Sequence, residues 1–168
     1  PDVGGGFGGK NVVYPEEALV MWAARRTGRP VRWIADRSET IATDMAGREQ
    51  HNEAELALDA DGNFLALRVR SAVALGAYLA PRGVVPARNQ LKTIQGAYHI
   101  PAADAEVRGV FTNTGPTCSY RGAGQPEGFY VVERLIDEAA RSCGFDPVDL
   151  RRRNLIRPEQ IPYRTVGG

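Results

Sequence analysis

The spacing of apolar and polar residues predicts two main helices. Apolar side chains recur at intervals of three and four over residues 15–26, behind a proline and two acidic residues that are typical of a first helical turn. Gly28 and Pro30 end this helix. The second helix begins at Gln125 and ends at Cys143. Its apolar face is predicted to comprise Phe129, Val132, Leu135, Ile136 and Ala139.

A period of two residues predicts the strands of a sheet. Residues 50–58 alternate in this way, with His51, Glu53 and Glu55 on the side that faces solvent. The Asp-Gly pair at residues 61–62 predicts a hairpin turn, after which residues 64–75 return as the partner strand. Shorter strands are predicted over residues 31–35 and 105–111.

The remaining segments complete the predicted fold. Residues 81–98 have no periodicity and contain prolines and glycines, so we expect a loop, and loops of this length are usually functional or disordered. Asp146 as N-cap and Pro147 at the first helical position predict a further short helix. Together the elements predict one α+β domain over residues 1–168, with an antiparallel or mixed sheet and two main helices.

Composition sets limits on the class of protein. The chain has 168 residues and is 43% hydrophobic, which is enough for a core. With 21 basic and 20 acidic residues the net charge is +1, so no electrostatic footprint for nucleic acid or an anionic membrane exists. No apolar run approaches the ~20 residues of a membrane span. We therefore expect no nucleic acid partner and no membrane span.

Cysteine and histidine usage predicts no metal site built from side chains. Cys118 and Cys143 are far apart and form neither a zinc pattern nor a disulfide framework. A reducing compartment suffices for them, and we expect a cytoplasmic protein. His51 and His99 are each without a second ligand at suitable spacing, so solvent-facing positions are favoured for both.

Two glycine-rich segments carry the candidate chemistry. Residues 4–10 read GGGFGGK and are called the first glycine motif; residues 120–127 read YRGAGQPE and are called the second glycine motif. Glycine tolerates positive φ and has no Cβ, so such runs let a ligand approach the backbone closely. A flexible linker is disfavoured by the central Phe7. The Walker pattern fails because Asn11 occupies the hydroxyl position, and a dinucleotide loop fails because no strand precedes it.

In this order and at this separation, the two motifs resemble those of the molybdopterin-binding large subunit of the xanthine dehydrogenase and aldehyde oxidase family of molybdenum hydroxylases. Further similar segments are residues 29–33, 36–39, 61–62, 76–78, 98–101 and 133–154, so the resemblance covers the whole chain. It implies an oxidoreductase that hydroxylates a carbon with water as the oxygen source. It also implies a molybdenum–molybdopterin cofactor, in the cytosine dinucleotide form for a bacterial member.

The resemblance further implies which residues contact the cofactor. Gly5 would bind the cofactor. Gly6, Phe7 and Gly8 would lie beside the metal, with the amide of Phe7 directed at its apical oxygen, and Arg121 would lie beside the cofactor in the second motif. The alternative for Arg121 is a surface ion pair. Electrons would pass to iron–sulfur clusters and FAD on partner subunits, and the complete protein would be an oligomer of heterotrimers.

Departures from relatives narrow the implied chemistry. Copper-containing members that oxidise carbon monoxide have cysteine where this chain has Gly122, so a copper site is not expected. Purine-oxidising members have a phenylalanine, a glutamate and an arginine where this chain has Ala123, Asn11 and Asn89. Without these stacking and charged groups xanthine is disfavoured. The implied substrate is an aldehyde or an N-heteroaromatic carbon, with Asn11, Asn89 and Ala123 in its pocket.

One alternative stays open at this stage. Large subunits of the family are several times longer than 168 residues and carry a downstream glutamate base, so we expect this chain to be a fragment of a larger subunit and inactive by itself. We assign no catalytic residue within it. A non-catalytic domain of the same fold, acting as an interaction or assembly module, would have the same sequence features.

Overall fold

The computed structural model describes residues 4–167, which form five α-helices and three strands. In chain order these are α1 (Pro15–Thr27), α2 (Arg37–Thr43), β1 (Gln50–Leu58), β2 (Phe64–Gly76), α3 (Val85–Thr93), β3 (Ala102–Phe111), α4 (Gln125–Cys143) and α5 (Pro147–Asn154), followed by a 3-10 turn over Pro158–Gln160. The predicted α+β class is confirmed. Among the described residues, no helix combines the length and apolar character that crossing a bilayer requires.

The sheet is mixed and has the order β1-β2-β3. β1 and β2 form the predicted antiparallel hairpin, and the Asp59 carboxylate organises its turn by accepting hydrogen bonds from the amides of Asp61 and Asn63. β3 runs parallel to β2. A parallel neighbour needs a crossover connection, and residues 77–101, which include α3, supply it.

Helix α4 covers one face of this sheet and forms the core with it. Leu67 and Val69 of β2 pack in one cluster with Val132 and Ile136 of α4 and with Leu150 of α5. The predicted alternation along β1 is confirmed, because its even-numbered residues turn toward this cluster and its odd-numbered residues are exposed. Packing against the sheet thereby fixes the position of α4 and of the second glycine motif, which leads into this helix.

Two predicted elements were wrong. Residues 31–35 are not a strand, because no neighbouring strand among the described residues pairs with their backbone. Residues 81–98 are not an irregular loop, because they contain α3; Pro86 lies in the first turn of that helix, where a proline without an amide hydrogen is tolerated. In addition, Phe129 is exposed rather than buried, and the buried stripe of α4 runs through Gly128, Val131 and Val132 instead.

Helices α1 and α2 differ from the other three helices in having no buried residue. Their ends follow the predicted signals: α1 ends at Gly28 in the left-handed conformation, and the Asp36 carboxylate caps α2 by accepting from the amide of Glu39. Large apolar side chains of this part of the chain face outward, among them Leu19, Met21, Trp22, Ile34 and Ile41. We call these five residues the outer apolar surface.

Candidate functional site

The two glycine motifs lie against each other. The backbone amide of Arg121 donates a hydrogen bond to the carbonyl oxygen of Phe7 at 2.8 Å. One residue further, Gly8 has φ of +100°, and a Cβ placed on it would come within 2.7 Å of the carbonyl oxygen of Ser119. Only glycine permits this approach, because any side chain would collide with backbone. The two motifs, about a hundred residues apart in sequence, thus form one surface.

Local contacts shape the first motif. The amide of Lys10 closes a turn onto the carbonyl of Gly6 at 3.2 Å, and Phe7 at its apex has φ of +49°, which is uncommon for a residue with a side chain. The hydroxyl of Tyr14 donates to the carbonyl of Gly9 at 3.0 Å. Lys10 forms an ion pair with Asp44, and this hydrogen bond raises the pKa of Lys10. These contacts therefore hold the first motif at the turn between Gly6 and Lys10, at the Gly9 carbonyl and at the Lys10 side chain.

The predicted cofactor residues show the features that a closely bound ligand would require. A Cβ on Gly5 would touch the ring of Phe7 at 3.0 Å, and one on Gly6 would touch Lys10 at 3.2 Å, so neither position has free space for a side chain. Among residues 4–167, no protein group accepts a hydrogen bond from the amides of Phe7 or Gly8. These amides are available to an acceptor outside the described residues.

Arg121 extends the same surface with a charged group. Its side chain is exposed, and within the described part of the chain no carboxylate or other acceptor engages the guanidinium. The surface ion pair considered from the sequence is therefore not formed there. The amide of the next residue, Gly122, also has no acceptor among residues 4–167. A guanidinium and several amides without acceptors on two motifs in contact favour an anionic or oxygen-rich ligand.

Of the three predicted pocket residues, the structure brings two together. The side-chain amide of Asn89, on α3, donates to the carbonyl of Ala123 at 3.0 Å. Gly124 makes this contact possible, because a Cβ there would clash with the carbonyl of Pro86 in the same helix. Asn11 is exposed and shares no hydrogen bond with either residue in the described chain. Helix α3, whose residues were predicted to form a loop, therefore packs against the second glycine motif.

A buried cluster of polar side chains anchors α3 to the sheet. Gln90 is fully buried, and its Nε2 donates to Ser71 Oγ on β2 at 3.1 Å and to Asn52 Oδ1 on β1 at 3.3 Å. Its Oε1 has no partner among the described residues. Because Gln90 directly follows Asn89, these hydrogen bonds set the distance between the sheet and the part of α3 that contacts Ala123.

Sequence reasoning missed Arg48, and it gave no role to Glu127 although Glu127 ends the second glycine motif. Arg48 lies between α2 and β1, with φ of +67°, and its guanidinium contacts the Glu127 carboxylate and the Arg121 carbonyl of that motif. Glu127 also accepts from the amide of Gly124 at 3.0 Å, at the third helical position where capping glutamates occur. That spacing is a signal by which Glu127 could have been found. No local pattern identifies Arg48.

Comparisons with known proteins agree with this geometry. Residues 1–155 match the family described as the molybdopterin cofactor-binding domain. The carbon monoxide dehydrogenase large chain of Hydrogenophaga pseudoflava is 39% identical over the whole of this chain and 21% of its own length. The nicotine 6-hydroxylase large subunit of Paenarthrobacter nicotinovorans is 36% identical, over 100% of this chain and 21% of its own.

Solved structures extend the similarity to the fold. The structure of quinoline 2-oxidoreductase from Pseudomonas putida 86 superposes with a TM-score of 0.92 at 44% identity, covering all of this chain and 22% of that one. The chain thus spans about a fifth of the length of the relatives it matches. The first two relatives are named as a large chain and a large subunit. The matched family, the shared fold and the joined glycine motifs together show that this chain belongs to the molybdopterin cofactor-binding domain family.

Proposed function

We propose that this chain is the part of a molybdenum hydroxylase large subunit that holds the molybdenum cofactor. The observation that carries the proposal is the joining of the two glycine motifs, which leaves the amides of Phe7, Gly8 and Gly122 and the Arg121 guanidinium without protein partners among residues 4–167. Phe7, Arg121 and Gly122 are exposed, so their donors are accessible to a ligand. A bound cofactor with oxygen and anionic groups would satisfy them.

The chain's own residues would bind and orient the cofactor. Gly5, Gly6 and Gly8 allow the backbone of the first motif to approach it closely, and the Phe7 amide donates a preoriented hydrogen bond that needs no side-chain movement. Arg121 supplies a fixed positive charge with a planar set of donors. When bound, the cofactor supplies the hydroxylation of carbon with water-derived oxygen and accepts two electrons.

The substrate class in this proposal is an aldehyde or an N-heteroaromatic compound. Ala123 has only a methyl side chain, and the neighbouring Asn89 has a neutral amide that donates to the Ala123 carbonyl. Neither residue provides the ring stacking or the charge that a purine would need. The names of the similar proteins include a nicotine hydroxylase and a quinoline oxidoreductase, which supports a heteroaromatic substrate. Asn11 completes the proposed pocket.

The proposal extends to the complete assembly. Two similar proteins are named as subunits of multi-subunit enzymes, one of them subunit gamma of a dehydrogenase complex. We accordingly assign iron–sulfur and FAD subunits as electron-transfer partners, in an oligomer of heterotrimers. The bacterial origin of these relatives supports the cytosine dinucleotide form of the cofactor and a cytoplasmic location.

The test is expression of the full-length large subunit with its partner subunits in a host that makes the cofactor. We expect stoichiometric molybdenum without stoichiometric copper, because Gly122 offers no thiolate. Quinoline, nicotine, benzaldehyde, xanthine and carbon monoxide are then assayed by dye reduction. Turnover of a heterocycle or aldehyde supports the proposal. Absence of molybdenum would favour the non-catalytic module, and rapid xanthine turnover would overturn the assignment of Asn11, Asn89 and Ala123.

A further inference from the structure

We propose that Arg48 and Glu127 are positioning residues that clamp the second glycine motif and thereby orient Arg121 and the Gly122 amide. The cofactor role of Arg121 rests on the proposed function, whereas the clamp itself is a property of this chain. Arg48 makes three separate contacts with the motif. Its Nη1 lies 3.0 Å from Glu127 Oε2, its Nη2 donates to the carbonyl of Arg121, and its guanidinium lies 5.1 Å from the ring centroid of Tyr120.

The backbone around Arg48 is fixed on the same part of the chain. The amide of Ala46 donates to the carbonyl of Pro116 at 3.2 Å, and the amide of Cys118 donates to the carbonyl of Ala46 at 2.9 Å. A Cβ on Gly47 would contact Tyr120 Cβ at 3.4 Å. The segment that carries Arg48 is therefore held against the residues that precede the second motif. This backbone restraint places the Arg48 side chain close to the motif.

Burial makes the ion pair with Glu127 a strong restraint. Glu127 is only 7% exposed, and one of its oxygens serves both Arg48 and the amide of Gly124. Within the described residues, Arg48 is the one cation paired with this carboxylate. A buried carboxylate without its cation is strongly unfavourable, because it has lost hydration without compensation. The clamp thus fixes the motif at Arg121, at Gly124 and at the start of α4.

The geometry around Arg121 explains why these contacts orient it. The amide before its Cα is held by the Phe7 carbonyl, and the carbonyl after its Cα is held by Arg48. With both flanking peptide groups fixed, the direction in which its side chain leaves the backbone is set. The N–H of a trans peptide points opposite to its C=O. By holding the Arg121 carbonyl, Arg48 therefore directs the unpartnered Gly122 amide to the opposite side of the peptide.

The experiment compares Arg48→Met, Glu127→Gln and Arg48→Lys with the control Arg68→Met in the full-length enzyme complex. Arg68 is also paired with a carboxylate, Glu55 at 3.2 Å, but on the exposed side of the hairpin. Hydrogen–deuterium exchange over residues 120–127 reports the clamp without needing molybdenum. Turnover with quinoline, measured per bound molybdenum and separated into kcat and KM, reports its effect on the site.

We expect Arg48→Met and Glu127→Gln each to raise exchange over residues 120–127 by about tenfold or more, with the exchange of β2 unchanged. We expect kcat per molybdenum to fall by about tenfold with KM within about twofold, and Arg48→Lys to recover part of the loss because it restores the charge but not the fork of donors. Arg68→Met should match wild type in both measurements.

Other outcomes overturn the inference. Wild-type exchange over residues 120–127 in Glu127→Gln, which preserves the side-chain shape, would exclude the clamp even if Arg48→Met failed to fold. A loss of activity explained entirely by loss of bound molybdenum, with kcat per molybdenum unchanged, would exclude the orienting role. If wild-type enzyme contained no molybdenum, the proposed function would fail, and the exchange data alone would still decide whether the clamp exists.

Discussion

Gly8 permits the close contact between the two motifs because it has no side chain. The smallest substitution, alanine, is therefore enough to test that contact. Gly8→Ala places a methyl group within 2.7 Å of the Ser119 carbonyl at a φ of +100°. We expect it to lower the free energy of unfolding by about 1 to 3 kcal/mol, through backbone strain and displacement of the second motif. The control is Gly9→Ala, whose Cβ would meet nothing closer than 3.9 Å. Urea unfolding measures both, and equal stability of the two variants would contradict the close contact.

The ionisation of Tyr98 makes the free energy of unfolding depend on pH. Burial and the hydrogen bond that its hydroxyl donates to Glu133 raise the pKa of Tyr98 from 10.0 to about 12. The folded state keeps this proton up to a higher pH than the unfolded state does. The contribution of the protonated Tyr98 to the free energy of unfolding is therefore fully present below pH 10 and is lost as the pH rises toward 12. The expected slope is up to ~1.4 kcal/mol per pH unit.

Tyr98→Phe removes the titrating group and should flatten this part of the curve. Urea unfolding of both proteins between pH 10 and pH 12 measures the difference. A parallel loss of stability in the two proteins would show that other groups control the alkaline transition.

Single residues could be predicted where the signal is local. The cap at Asp146 and the helix end at Gly144 follow from neighbouring residues, and the structure has both. Asn89 and Ala123 were assigned to one pocket only through resemblance to a family, and their hydrogen bond was not predicted. Arg48 was not found, since its partners lie more than seventy residues away in sequence and no repeated spacing marks it.

At the scale of elements, Asn154 is the link between α5 and the hairpin. Its side chain accepts from the amide of Phe64 at 2.8 Å and donates to the carbonyls of Gly62 and Leu150 at 2.9 Å. We expect Asn154→Leu to cost about 2 to 4 kcal/mol, because three bonds are lost and buried backbone groups are left unpaired. Arg152→Ala removes only an exposed ion pair and should cost less than about 0.5 kcal/mol. Thermal unfolding of both variants checks the contrast.

Elements with strong periodicity were predicted well, and elements that depend on a neighbour were not. β1 and α4 repeat their patterns over many residues, so their type and bounds followed from the sequence. α3 is short and has a proline in its first turn, and its identity as a helix depends on packing against α4. Residues 31–35 are apolar enough for a strand but have no partner strand among the described residues.

At the scale of the whole molecule, the outer apolar surface determines how the chain behaves alone. Its five residues are each at least 60% exposed, on a chain that spans about a fifth of its relatives. Exposed large apolar side chains favour association in water. We expect the isolated 168-residue chain to self-associate and to have no hydroxylase activity.

The double variant Leu19→Glu, Ile34→Glu should shift the isolated chain toward monomer in sedimentation measurements. Both positions are exposed, so neither substitution disturbs the core around α4. Replacing Val148 and Phe111, which are also exposed but lie elsewhere, by glutamate is the matched control. A monomeric wild-type chain, or an equal effect of the control, would contradict the role of this surface.

The hydrogen bond between Phe7 and Arg121 also sets an order of events during synthesis. The first motif is synthesised before the second, which follows α1, α2 and all three strands in the chain. Closing a contact between such distant segments costs more loop entropy than closing a local one. A ligand that needs both motifs has its complete site only after the intervening elements have been made, so it cannot serve as a template for the earlier steps.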